Sequence, residues 1–167
     1  IASRLAVESS QRFVSQGLAR VRSVEHVKVL VEHAVIEADS KVWAYGDAHP
    51  TTKGMASTLS LAVLWEDKSG KKWIVGANVG DSRIYLKKKV SGEVKQLSKD
   101  DSRVAELIEK GFITEQEAET HGERNILSDG LGLGYEPKVM MTKHQIIAES
   151  VEIGDMVIVV TDGITDN

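Results

Sequence analysis

Two apolar runs that each lead into an aspartate constrain this chain most. The first, residues 73–79, is followed by Gly80 and Asp81, and the second, Met156–Val160, is followed one residue later by Asp162. A short apolar run closed by a polar turn predicts a fully buried strand. A carboxylate at the edge of a core is costly unless it is paired or binds a cation. The two strand ends therefore predict a shared metal site.

Apolar periodicity predicts two helices ahead of these strands. Residues 1–18 approximate one apolar face, and residues 24–38 follow the three-four spacing of an amphipathic helix with Ser23 as its N-cap. A loop is predicted from Gly46 to Gly54, where glycine, proline and threonine cluster.

The remaining elements favour an α+β domain. Residues 103–120 predict two short helices with a break at Gly111 and Thr114 as the second N-cap. The other predicted extended segments are residues 57–65, 84–86, 137–148 and 156–161. Helices followed by strands, short helices and strands again argue against alternating βαβ units. With 167 residues, the length favours one domain, 1–167.

Composition excludes several classes of function. The absence of cysteine rules out disulfides, thiolate zinc sites and phosphatases with a cysteine nucleophile, and it fits a reducing, cytoplasmic compartment. A net charge of −4 argues against general nucleic-acid binding. No apolar stretch approaches 18 residues, and no signal-peptide pattern is visible, so no membrane association is expected.

Several short motifs, each weak alone, follow one another along the chain. They are Met55-Ala56-Ser57-Thr58, Val79-Gly80-Asp81-Ser82-Arg83, Leu97-Ser98-Lys99-Asp100-Asp101-Ser102, Gly111-Phe112-Ile113-Thr114, His121-Gly122-Glu123-Arg124-Asn125-Ile126-Leu127, Gly154-Asp155 and Thr161-Asp162-Gly163-Ile164-Thr165-Asp166. In order and spacing they resemble the PPM (PP2C-type) metal-dependent serine/threonine phosphatases, and the resemblance covers almost the whole chain.

The resemblance implies a fold and a reaction. The fold would be a sandwich of two antiparallel sheets flanked by helices, with residues 102–128 as a mobile flap beside the site. The reaction would be hydrolysis of phosphoserine and phosphothreonine in phosphoproteins by water that two Mg²⁺ or Mn²⁺ ions activate, with a third ion nearby. Hard oxygen ligands suit both metals, and two ions about 3.5–4 Å apart can neutralise a phosphoryl group.

The resemblance also implies roles for individual residues. Asp162 would be a core metal ligand, and Gly163 would let the backbone turn beside the ion. Asp81 and Asp166 would hold a third, weaker metal, either directly or through its ligands. The flap would place His121, Arg124 and Asn125 at the site border, where His121 is an anchor of the flap or a general acid.

Each role has a plainer alternative. Asp162 can be a turn carboxylate that caps a following helix, and Asp81 can belong to an ordinary hairpin turn. Arg83 is interpreted as one half of a structural ion pair rather than a phosphate ligand. Ser57 and Thr58 are interpreted as structural residues at a strand start, since no base lies beside them in the sequence.

The chain departs from the family pattern in places. Ala56, Asp101 and Asp129-Gly130 replace residues common in the family, which puts substrate selectivity in question. In the family, an Asp-Gly-x-Gly-Gly-His segment and a later Asp-Asn pair are both expected to supply metal ligands. The first does not occur between residues 1 and 167, and Asp166-Asn167 follows Asp162 too closely to be the second.

We therefore expect an incomplete phosphatase domain that binds the core metals poorly by itself, because metal sites need their full ligand count. One alternative is a non-catalytic PP2C-like module that binds or regulates a partner. Another is an unrelated α+β domain whose Asp-Gly turns bind Ca²⁺.

Overall fold

The computed structural model describes residues 1–133 and 145–165. Five α-helices are present in this part of the chain: α1 (Ala2–Gly17), α2 (Val24–Ala48), α3 (Arg103–Glu109), α4 (Glu115–Glu119) and α5 (Asp162–Thr165). Six strands accompany them: β1 (Leu59–Glu66), β2 (Lys72–Val79), β3 (Arg83–Lys87), β4 (Val94–Gln96), β5 (Gln145–Val151) and β6 (Met156–Val160). Short 3₁₀ turns follow α1 at Leu18–Arg20 and α2 at Pro50–Thr52.

The strands form two antiparallel sheets of three strands each. Sheet I has the order β1-β2-β5 and sheet II the order β4-β3-β6. The two sheets meet face to face, since β1 contacts both β3 and β6. Helices α1 and α2 pack along each other, and α2 covers the outer face of sheet I. The predicted α+β fold with two antiparallel sheets and flanking helices is confirmed.

The central strand β2 shows how the layers are sorted. Its residues Val75, Ala77 and Val79 are fully buried among the helices, because alternate side chains of a strand share a face. Gly76 faces sheet II instead. A side chain there would come within 2.6 Å of the Leu61 carbonyl oxygen and 3.4 Å of Ile84. The prediction of a buried strand at residues 73–79 is confirmed.

Helix α2 begins where the sequence predicts and ends later. The Ser23 hydroxyl accepts a hydrogen bond from the His26 N–H at 3.3 Å, which confirms the N-cap. The predicted end near residue 38 and the loop assigned to Gly46 are wrong, since the helix continues to Ala48. Val42 extends the buried stripe. A Cβ at Gly46 would lie 3.2 Å from the Thr52 carbonyl oxygen, so close packing favours glycine at this position of the helix.

The prediction that Met156–Val160 is a fully buried strand is wrong. These residues form β6, which pairs with β3 at the border of sheet II, and Met156 is 56% and Val159 is 46% exposed. An apolar run predicts a strand, but it does not distinguish a central strand from an edge strand.

Residues 102–128 leave the sheets as one excursion, called the 102–128 segment below. It contains α3 and α4 and is closed by an antiparallel bridge between Ser102 and Leu127. The predicted cap of α4 is confirmed as a full capping box, in which the Thr114 and Glu117 side chains each accept the other residue's backbone N–H.

The extended segment predicted at 137–148 is described only from Gln145 onward, where β5 begins; its earlier part lies outside the described residues. In the described part of the chain, no helix has the length and apolar character needed to cross a membrane.

Candidate functional site

The two aspartates that follow β2 and β6 leave the sheets at the same end. Strands β3 and β6 run antiparallel, and the last pair of their ladder is Arg83 with Val160. Asp81 stands two residues before Arg83, and Asp162 stands two residues after Val160. The chain leaves the β3–β6 ladder on both sides at this pair, so each aspartate stands within two residues of the same end of sheet II.

Asp162 lies on the exposed surface at the start of α5. One of its carboxylate oxygens accepts a hydrogen bond from the Gly163 N–H at 2.8 Å. The Ile164 N–H donates to the Thr161 carbonyl at 3.0 Å, so the chain turns sharply directly after β6. The two predictions made for Asp162, a carboxylate that caps a helix and a metal ligand, therefore both apply to this turn.

Asp81 sits in a turn that is held from several sides. Gly80, directly before it, has a backbone φ of 96°, a conformation that favours glycine, and a Cβ there would lie 2.4 Å from the Thr58 side chain. The Thr58 and Ser82 hydroxyls are hydrogen-bonded at 2.9 Å across the turn. This contact fits the structural role predicted for Thr58.

A buried asparagine supports the same turn from inside the sandwich. Asn78 is 1% exposed, and its side-chain amide donates to the carbonyls of Gly80 at 3.1 Å and Lys99 at 3.2 Å. Its oxygen accepts from the Ser60 hydroxyl. A buried amide with its hydrogen-bonding groups engaged in this way fixes the backbone around it.

Arg83, on the first residue of β3, pairs with Asp100. Its Nε lies 3.0 and 2.9 Å from the two Asp100 oxygens, and its Nη2 lies 2.6 Å from Oδ2. This hydrogen bonding raises the pKa of the Arg83 guanidinium above its ordinary value. The interpretation of Arg83 as half of a structural ion pair is confirmed, and the pair joins β3 to the segment that precedes residue 102.

The three residues predicted at the flap border lie on the turn after α4. The His121 Nδ1 accepts a hydrogen bond from the Glu123 N–H at 3.1 Å, and the Arg124 Nη1 donates to the Glu119 carbonyl at 3.0 Å. Asn125 is exposed. The hydrogen bonds described for His121 and Arg124 stay inside the 102–128 segment, so their place at the site border stays a prediction.

The donor chemistry of this end of the molecule suits a hard cation, but the described residues do not complete a site. Asp81 and Asp162 offer the carboxylate oxygens that Mg²⁺ and Mn²⁺ prefer. Within residues 1–133 and 145–165, however, no group of three or more His, Cys, Asp or Glu side chains is placed to hold a metal ion. Asp166, the remaining predicted ligand, lies outside the described residues.

Sequence reasoning missed one buried carboxylate, Asp39. It is 2% exposed in the middle of α2, and its Oδ1 accepts a hydrogen bond from the Gly132 N–H at 2.7 Å. The neighbouring Leu131 exchanges two backbone hydrogen bonds with Ser57 at 3.1 and 2.8 Å. The signal was present, since Asp39 interrupts the apolar stripe of Val35, Ala38 and Val42.

Comparison with known sequences identifies the family of this chain. The family profile described as Protein phosphatase 2C matches residues 1–167. Serine/threonine protein phosphatase PstP of Mycobacterium tuberculosis is 30% identical over 136 residues, 81% of this chain and 24% of that protein. Serine/threonine phosphatase stp of Listeria welshimeri is 28% identical over 168 residues, 99% of this chain and 62% of that protein. The chain thus spans less than two thirds of these relatives.

Solved structures share the fold. Serine/threonine phosphatase Stp1 from Staphylococcus aureus superposes with a TM-score of 0.74 at 26% identity, over 93% of this chain and 59% of that one. The catalytic domain of PstP in complex with two manganese ions gives a TM-score of 0.74 at 24% identity, over 99% of this chain and 61% of that one. Since the family profile extends over all 167 residues, this chain belongs to the Protein phosphatase 2C family.

Proposed function

We propose that the protein containing this chain hydrolyses phosphoserine and phosphothreonine in phosphoproteins with the help of Mg²⁺ or Mn²⁺. Family membership supports the reaction class. The observation that carries the proposal is the β3–β6 register, which leads Asp81 and Asp162 out of the same end of sheet II. Carboxylates that follow neighbouring strands at the same sheet end supply the hard oxygen ligands that a Mg²⁺ or Mn²⁺ site needs.

The chain's own residues have distinct tasks in this proposal. Asp162 would hold a core ion and Gly163 would let the backbone turn beside it, while Asp81 and Asp166 would hold a third, weaker ion directly or through its ligands. When bound, paired divalent ions lower the pKa of water and offset the charge of a phosphoryl group. Gly80, Thr58 and Ser82 fix the turn, so that Asp81 does not need to reorganise when a cation arrives.

The 102–128 segment is proposed to border the path of the substrate. Its exposed turn carries His121, Arg124 and Asn125, and a guanidinium can hold a phosphoryl oxygen or an acidic side chain of a phosphoprotein. We also propose that the 102–128 segment moves as a flap.

A second candidate function is a PP2C-like module that binds or regulates a partner without hydrolysis. The observation that favours it is the lack of any three-residue metal-binding group among residues 1–133 and 145–165. Metal affinity depends on the number of ligands brought together, so the two candidates differ in how tightly they bind Mn²⁺.

The deciding experiment measures Mn²⁺ binding and hydrolysis together. The 167-residue chain and the full natural protein are each assayed for Mn²⁺-dependent hydrolysis of p-nitrophenyl phosphate and a phosphothreonine peptide. Manganese binding is followed by electron paramagnetic resonance. Asp162→Asn is compared with Asp47→Asn, which makes the same charge change at an exposed position on α2.

For the phosphatase, we expect Asp162→Asn to lower activity and Mn²⁺ affinity more than about 100-fold in the full protein. Asp47→Asn should lower neither. We also expect the 167-residue chain to bind Mn²⁺ much more weakly than the full protein. A full protein that neither binds Mn²⁺ nor hydrolyses either substrate would leave the binding module as the function. Equal loss in both variants would remove Asp162 from the proposed site.

A further inference from the structure

Asp101 uses three of its groups to join the 102–128 segment to the turn before Asp81. Its carboxylate Oδ2 accepts the Gly80 N–H at 2.9 Å, and its own N–H donates to the Gly80 carbonyl at 2.9 Å. Its carbonyl accepts the Ser128 N–H at 2.9 Å. Asp101 therefore forms two hydrogen bonds with the backbone of the turn and one with Ser128, where the chain returns from the segment.

The stem of the 102–128 segment, formed by residues 102–103 and 126–127, continues directly from these contacts. Ser102 bridges Leu127, and the Arg103 N–H donates to the Ile126 carbonyl at 2.8 Å. The outgoing and returning chains thus run side by side from Asp101 outward. Asp101 thus links the stem to Gly80, the residue directly before Asp81.

We propose that Asp101 is a positioning residue that couples the 102–128 segment to the orientation of Asp81. Its consequence for catalysis rests on the proposed function, whereas the mechanical coupling does not. The bond from the Gly80 N–H to a carboxylate is charge-assisted, which makes it stronger than an ordinary backbone contact. Because a two-way contact resists rotation as well as separation, the turn follows the stem rather than moving alone.

The rival interpretation is that Asp101 fixes the turn locally and does not couple it to the 102–128 segment. Asn78 already holds the Gly80 carbonyl from inside the sandwich. If Asn78 alone fixed the turn, the stem could open while Gly80 stayed in place. The two interpretations differ in whether the amides of Gly80 and Ser128 become accessible in one event or in two.

Amide hydrogen exchange followed by NMR separates them without any assay of activity. The variants are Asp101→Ala, which removes the carboxylate, and Asp101→Asn, whose side-chain oxygen can still accept from Gly80. Ser102→Ala is the matched control, since the Ser102 hydroxyl accepts the Ala105 N–H at 3.3 Å and caps α3 without touching Gly80. Amides of β1 and α2 report global stability.

With coupling, Asp101→Ala speeds exchange at both Gly80 and Ser128 by at least about tenfold relative to β1 and α2. Ser128 is the sensitive reporter, because it bonds the Asp101 backbone and not the side chain that was removed. Asp101→Asn keeps the acceptor and loses only the charge assistance, so it speeds exchange at both amides less than Asp101→Ala does. Ser102→Ala speeds exchange in α3 and leaves Gly80 protected. Exchange at Gly80 alone in Asp101→Ala would overturn the proposal.

The wild-type chain supplies a second test if Asp101→Ala does not fold. In native-state exchange at low urea concentrations, coupled amides share one opening and therefore one dependence on urea. We expect the Gly80 and Ser128 amides to follow the same curve. Two curves with different urea dependence would overturn the coupling, and that outcome would not affect the phosphatase proposal.

Discussion

At the scale of single residues, Arg83 and Asp100 illustrate how burial changes the contribution of an ion pair to stability. The Arg83 side chain is 27% and the Asp100 side chain 15% exposed, and two guanidinium nitrogens contact the carboxylate. Fully exposed pairs contribute little because water screens them. A half-buried pair in fork geometry costs more to break, since the remaining carboxylate loses its charged partner and keeps only the Gln96 amide as a described side-chain donor.

We expect Arg83→Ala to lower the free energy of unfolding by about 2 kcal/mol, measured by urea denaturation. The control is Arg103→Ala, which removes contacts to the more exposed Glu106 and Glu123 and should cost less than about 1 kcal/mol. Equal losses in the two variants would contradict the argument from burial.

Asp155 gives a prediction about pH. Its carboxylate accepts the backbone N–H groups of Lys89 and Glu152 and a bond from the Lys88 ammonium, at 3.0 to 3.1 Å. These contacts, led by the Lys89 N–H, lower the pKa of Asp155 from 3.8 to about 2. Since the folded state favours the ionised form, the stabilisation is complete above about pH 4 and is lost as the pH falls towards 2.

We therefore expect Asp155→Asn to be less stable than wild type at pH 7, with a difference that holds down to about pH 4 and shrinks towards pH 2. Urea denaturation at a series of pH values measures it. Lys88→Met is the comparison, because it leaves both backbone donors in place and should weaken the pH dependence without abolishing it. A difference between Asp155→Asn and wild type that stays constant down to pH 2 would show that the carboxylate charge is not the cause.

At the scale of elements, the turn between β2 and β3 depends on a glycine for two reasons that can be separated. Gly80 combines a φ of 96° with a Cβ position 2.4 Å from Thr58, whereas Gly92, in the turn between β3 and β4, has a φ of 71° and open space around its Cβ position. Both conformations strain an alanine, but only one also forces a collision.

Gly92→Ala should lower the free energy of unfolding by about 1 kcal/mol, and Gly80→Ala by at least about 3 kcal/mol. Thermal and urea unfolding of both variants test this. The extra loss at Gly80 measures the contact with Thr58, and Gly80→Ala combined with Thr58→Ser, which removes the crowded methyl group, should recover part of it. Equal losses at the two glycines would leave backbone strain as the only factor.

Local signals in the sequence explain which elements were predictable. The caps at Ser23 and Thr114 depend on side-chain chemistry within three residues, and both are confirmed. The end of α2 was misplaced because Gly46 carries a local turn signal that packing against Thr52 overrides. The exposure of β6 was missed because burial depends on which strands lie beside it.

The candidate site follows the same rule. That Asp81 and Asp162 stand at strand ends was visible in the sequence. Their shared end of sheet II depends on a register between residues far apart in the chain, which periodicity does not encode. The contacts of Asp101 were hidden for the same reason, since a single acidic residue carries no local signal for a partner 21 positions away.

At the scale of the whole molecule, β6 forms an exposed, partly apolar border of sheet II. Among the described residues, only β3 pairs with it, and Met156 is 56% exposed. Unpaired strand edges that carry apolar side chains promote association between chains. Met156 lies opposite Lys87 in the ladder, so an acidic residue at position 156 would face a lysine.

We expect Met156→Glu to weaken self-association of the 167-residue chain by about tenfold, because it charges the border and leaves a favourable pair with Lys87. Sedimentation equilibrium provides the measurement. Val7→Glu is the matched control, since it adds the same charge at a 54% exposed position on α1, which packs against α2. A similar effect of both variants would point to net charge rather than to the strand border.

The pairing of β5 with β2 and of β6 with β3 also sets an order in time. Among the described strands, each sheet draws one from residues 145–160 and two from residues 59–96. During synthesis, the α1–α2 pair and the β1–β2 hairpin can form early because their contacts are local, but neither sheet is complete until β5 and β6 leave the ribosome. A ribosome that stalls before residue 145 therefore holds a chain with two open sheets, which is the state most in need of a chaperone.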